Sequence, residues 1–129
     1  MIRSTLRVLI GLVGVLALLV SIRLWMAPAK VGAILGLVSD GVAGTATLRA
    51  DVAGFFAGMG LFSLLAALRG DRRLVVVPLA LVGFALAGRL LNAILLGLPP
   101  QQYASVAIEA ALVVLFLASL RAFTAADRT

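Results

Sequence analysis

Of 129 residues, 64% are hydrophobic and 12% charged, and the mean hydropathy is +1.22. Soluble domains run near half apolar and a quarter charged, so a chain this short cannot hide so much apolar surface from water, and lipid is the solvent for most of it. The net charge of +6 comes from basic residues spread along the chain, mostly at the ends of apolar runs. That is how a membrane protein fixes its topology; it argues against nucleic-acid binding and for contact with membrane lipids that carry anionic headgroups.

The composition predicts an all-α fold: an integral membrane four-helix bundle forming one domain over residues 1–129, with a short interfacial or re-entrant segment between helices 1 and 2. The first apolar run, residues 8–26, follows Arg3 and Arg7 and closes with Arg23 and Trp25, a pair suited to the headgroup region. Ala27-Pro28-Ala29 imitates a secretory cleavage site, but Arg23 and Trp25 precede it and the run is long for a signal. The helix therefore reads as a retained signal anchor.

Residues 31–47 are apolar yet carry Asp40 and Gly32, Gly36, Gly41 and Gly44, which weaken a free-standing helix. The next runs span residues 48–68, 74–98 and 103–123, each long enough to cross a hydrocarbon core of about 30 Å. With four spans, Arg3 and Arg7, the Arg69-Gly70-Asp71-Arg72-Arg73 loop, and Arg121 and Arg128 share one side. The other side keeps Arg23, Lys30 and, at its boundary, Arg49. A fifth span at 31–47 would oppose the positive-inside tendency, so both termini are expected in the cytoplasm and that segment at the outer interface or dipping back into the protein. Tyr103, beside Pro99 and Pro100, fits an interfacial anchor.

Small residues suggest packing faces. Gly54 and Gly58 are four apart on the second span, and extending their stripe back by three residues reaches Asp51. Gly11 and Gly14 on the first span, and Gly83 and Gly88 on the third, offer comparable surfaces, with contact inside the bundle favoured over a homo-oligomer.

Cys and His are absent, which removes disulfides, thiolate and imidazole ligation and the imidazole general base. No cofactor and no metal site is expected. The polar residues inside the spans carry the functional argument. Counting about 1.5 Å per residue from the outer ends places Asn92 about 9 Å deep, Arg89 about 14 Å and Glu109 about 8 Å, with Asp51 just inside its boundary. Arg89 and Asn92 share a helical face, as do Ser105 and Glu109. With Arg49, the cluster Arg49, Asp51, Arg89, Asn92 and Glu109 balances two positive against two negative charges. Charges at such depth cost about 2.5 to 3.5 kcal/mol each on insertion scales, so they pair or meet water. Two readings follow: an ion-pair network that fixes helix register, or a polar cavity that binds a lipid-like or small anionic ligand or a quinone-like ring.

Leu48-Arg49-Ala50-Asp51-Val52-Ala53-Gly54 leading into Gly58-Met59-Gly60-Leu61-Phe62, then Gly88-Arg89-Leu90-Leu91 and Glu109, resembles the small bacterial four-helix membrane proteins grouped as domain of unknown function 4345. The resemblance spans nearly the whole chain and implies a DoxX-like architecture, with Arg49, Arg89 and Glu109 among the positions that mark the family. Where that pattern has an aromatic residue and two glycines after Leu-Arg, this chain has Val52-Ala53-Gly54. The resemblance implies no activity.

The expected protein is thus a multi-pass component of the bacterial inner membrane. Its leading function is non-catalytic: binding a lipid or small molecule at the outer-half cluster, or association with another membrane protein. A membrane enzyme acting on a lipid or quinone-like substrate is the alternative, with Glu109 or Asp51 as its acid or base. A small oligomeric transporter or channel comes third, because the cytoplasmic half of every span is almost wholly apolar.

Overall fold

Apolar runs in a solvent without hydrogen-bonding capacity must satisfy their backbone internally, and here they do so as helices. The computed structural model describes residues 1–123; Arg128, counted above among the C-terminal basic residues, lies outside them. The order is α1 (Ile2–Met26), α2 (Pro28–Ile34), α3 (Gly41–Thr47), α4 (Ala53–Arg69), α5 (Arg72–Leu96) and α6 (Tyr103–Ala122). A π-helical turn, Leu48–Val52, fuses α3 to α4, and a 3-10 turn, Pro100–Gln102, leads into α6. Four continuous segments are long and apolar enough to cross a membrane: Ile2–Met26, Gly41–Arg69, Arg72–Leu96 and Pro100–Ala122. The chain is an all-α bundle in which α1 packs on α4, α4 on α5, α5 on α6 and α6 back on α1.

The second span departs from its expected start. It begins at Gly41 rather than near residue 48, because α3 continues through the π turn into α4. Thr45 Oγ1 donates to Gly41 O at 2.9 Å and Thr47 Oγ1 to Ala43 O at 3.1 Å, which satisfies both hydroxyls on the helix's own preceding turn. Only the part before it behaves as a connection, with α2 followed by an irregular stretch around Gly36.

The packing face also differs from the one expected. A Cβ at Gly14 would lie 2.8 Å from Leu64 N and 2.9 Å from Gly60 O, and a Cβ at Gly60 would lie 2.8 Å from Gly14 O. Gly14 and Gly60 are therefore where the backbones of α1 and α4 touch. Gly54, by contrast, meets nothing within 4 Å, and Gly58 meets only Leu81 Cδ1 at 3.7 Å. At about 100° per residue, Gly58 stands about 200° and Gly54 about 240° around the helix from Gly60. Neither belongs to the close-packed stripe, and Asp51 does not extend it. On α5, Gly83 and Gly88 are likewise open.

Arginines lock the α1/α4 pair at both ends. Arg7 donates through Nε to Ala67 O and through Nη2 to Leu68 O, each at 2.6 Å, while Arg3 Nη2 reaches Gly70 O at 3.3 Å. These carbonyls end α4, where the helix dipole is negative and the acceptors lack intrahelical donors. Gly70 takes the left-handed conformation (φ +65°) that closes the helix. At the opposite end the roles reverse: Arg49 Nε donates to Trp25 O in the last turn of α1, and Trp25 Nε1 donates to Arg49 O, both at 3.0 Å. Ser21 Oγ adds a buried bond to Ala53 O at 2.8 Å.

The core is uneven along the bundle. We call proximal the end where α1 and α5 begin and α4 and α6 finish. Buried residues on α5 are Val75, Pro78 and Val82, and on α6 Phe116 and Ser119, all toward the proximal end. Beyond them α5 and α6 bury no residue, whereas α1 stays packed through Ser21 and Leu24. The bundle is closed proximally and opens distally between α4, α5 and α6.

Candidate functional site

The distal opening is where the intramembrane polar residues gather. Arg89 lies seven residues before the end of α5 and Glu109 six residues after the start of α6, about 10 Å and 9 Å along their helices. Antiparallel neighbours bring these depths together. Arg89 Nε donates to both Glu109 carboxylate oxygens, at 2.8 and 2.9 Å, with the two side chains 32% and 16% exposed. Arg89 Nη1 donates to Gln102 Oε1.

These groups face a cavity of about 390 Å³ bounded also by Asp51 and Val52 from the π turn, Phe55 and Phe56 from α4, and Leu35 to Leu37 from the connection after α2. Phe55 and Phe56 meet edge to face, with centroids 5.4 Å apart and planes at 86°, and give the cavity an aromatic surface beside its charged groups. Gly36 adopts φ +78°, and a Cβ there would come within 3.3 Å of Gln102 Nε2. The connecting segment thus closes over the cavity against the glutamine.

Of the residues the sequence grouped, Asp51, Arg89 and Glu109 share this cavity. Arg49 does not: it is two residues from Asp51 on the π turn and turns to Trp25, lining a separate exposed recess with Trp25, Ser39 and Thr45. Its role is capping α1. Asn92 donates to Gly97 O at 3.3 Å and borders a neighbouring recess that shares Arg89 and Gln102 with the Arg89–Glu109 cavity. Gln102 was not among the residues singled out, because its Pro-Pro-Gln-Gln setting reads as a solvated loop. A signal was present: Gln102 and Glu109 are seven apart, two turns, and fall on one face once the helix begins near Pro100.

Electrostatically the cavity holds one guanidinium and two carboxylates. Glu109 and Arg89 neutralise each other, and Asp51 makes no hydrogen bond or ion pair among the described residues. No group of three or more acidic side chains that could hold a metal ion forms among the described residues. The site can hold a polar head by charge and hydrogen bonding and an apolar body against the phenylalanines.

Fold and site together define a multi-pass membrane protein, a four-helix bundle with a polar cavity at its distal end. Compared with known proteins, the chain matches no family model, no curated protein and no solved structure.

Proposed function

We propose that this protein binds a lipid-like amphiphile in the distal cavity without transforming it. The observation that carries the reading is the Arg89–Glu109 pair, held at 2.8 Å by helices that bury nothing around it and set against the Phe55/Phe56 wall. A partly buried ion pair is weak evidence for stability by itself, and this one lines a cavity. Pockets for small molecules combine apolar walls with a few placed polar groups, and an amphiphile presents both to such a site.

The same reading takes the chain as a bacterial inner-membrane protein of the domain of unknown function 4345 type. Its support is the Leu48-Arg49 and Gly88-Arg89 pairs with Glu109 in the fourth span. We place the proximal end in the cytoplasm. Arg3, Arg7, Arg69, Arg72, Arg73 and Arg121 stand there, against Arg23, Lys30 and Arg49 distally.

Native mass spectrometry of detergent-purified wild type, Glu109→Gln and Arg89→Gln tests the function. A co-purifying amphiphile present in wild type and lost in both variants, with helical content unchanged, is the expected result. An unliganded wild type whose variants lose only stability would return the pair to a structural role.

A further inference from the structure

A binding site reads its ligand through charge left over after its own groups have paired. In the distal cavity Arg89 Nε is taken by both oxygens of Glu109 and Nη1 by Gln102. An anionic headgroup entering there meets a cation already balanced. What remains is Asp51, whose sequence neighbour Arg49 is engaged by Trp25 O; the other distal basic residues, Arg23 and Lys30, do not line the cavity. With one guanidinium and two carboxylates, the lining of the cavity has a formal net charge of −1.

We propose that the distal cavity selects a primary ammonium group and that Asp51 is the residue that selects it, an inference that rests on the amphiphile reading above. The ammonium donates to the Asp51 carboxylate and to lone pairs of Glu109 not used by Arg89, giving the charge-assisted bonds that an unpaired carboxylate in a membrane lacks. Arg89 Nη2, which bonds to no described residue, supplies a donor for a phosphate attached to the amine. Phe55, Phe56 and Leu37 offer the apolar surface for a chain. A phosphoethanolamine headgroup carries ammonium and phosphate together. The ammonium chemistry is shared by two sources, an ethanolamine phospholipid and a water-soluble amine, and the apolar wall favours the lipid.

The test offers purified wild type an equimolar mixture of ethanolamine, choline and glycerol phospholipids and, separately, water-soluble glycerophosphoethanolamine. Bound mass is read by native mass spectrometry. Wild type is expected to retain the ethanolamine lipid about tenfold over the other two, the scale of one charge-assisted hydrogen bond. Asp51→Asn, matched in shape, is expected to keep its helical content and still hold lipid while losing that preference. Binding of glycerophosphoethanolamine without the lipid would uphold ammonium selection and assign a soluble source. Equal retention of the choline lipid would show that the rings, not the carboxylates, read the head, and would overturn the proposal. So would an Asp51→Asn variant with its preference intact. A wild type that holds neither lipid nor soluble amine would instead sink the amphiphile reading itself.

Discussion

Hydrogen in place of a methyl group at Gly14 and Gly60 sets the separation of α1 and α4. The atoms a Cβ would strike there are backbone, Gly60 O and Leu64 N from one side and Gly14 O from the other, so no side-chain rotation relieves the clash. Gly60→Ala is expected to cost about 1–3 kcal/mol, the range for overpacking a filled interface. Gly54→Ala has open space, and should be neutral or gain up to about 1 kcal/mol from the higher helix propensity of alanine. Denaturant unfolding in mixed micelles, followed by circular dichroism, compares the two. Equal costs would contradict the observed helix phase. The pair also shows what the sequence could and could not reveal at this scale. Spacing of four marks Gly54 and Gly58 as a stripe, but spacing does not say which way a stripe faces. The phase is decided by the larger set Met59, Gly60, Ser63, Ala66 and Ala67, buried together on α4.

At the level of elements, α1 and α4 cap each other: Arg7 near the start of α1 serves the end of α4, and Arg49 just before α4 serves the end of α1. Each cap replaces donors that a helix C-terminus lacks, and each is expected to contribute about 1–2 kcal/mol where partly exposed. Arg7→Ala should speed amide exchange in the last turn of α4, where Gly70 N bonds to Ala66 O, and leave the end of α1 unchanged. Arg49→Ala should do the reverse. The two costs should add, since the sites lie at opposite ends of the pair. Hydrogen exchange by mass spectrometry separates these outcomes; fraying at both ends in either variant would refute independent caps. The existence of these helices was legible because apolar runs flanked by arginines have one solution in lipid. The π turn was not, because an extra residue in a helix leaves no compositional mark; Arg49 and Asp51 diverge because residues two apart lie on opposite sides of a helix.

Across the whole molecule, the charged cavity and the proximal arginines lie at opposite ends, so orientation decides which compartment the cavity meets. Depth counting along each span was enough to put Arg89, Asp51 and Glu109 in the same half of the bilayer, because antiparallel spans bring their outer ends together. Helix rotation and the fold of residues 27–40 lay beyond such counting. Those two features decide that Gln102 joins the site and Arg49 leaves it. The orientation proposed above predicts a labelling pattern that can be read on a chain without native cysteine. Single cysteines at Gln101, exposed within the distal 3-10 turn, and at Arg72, exposed at the start of α5, should behave oppositely toward a membrane-impermeant maleimide applied to intact cells. Gln101→Cys should label before lysis and Arg72→Cys only after it. Arg72→Cys also removes one proximal positive charge, so Leu68→Cys, exposed one residue before the end of α4, serves as a charge-neutral control and should follow Arg72→Cys. The opposite pattern would place the cavity toward the cytoplasm, and the amphiphile would then be drawn from the inner rather than the outer leaflet.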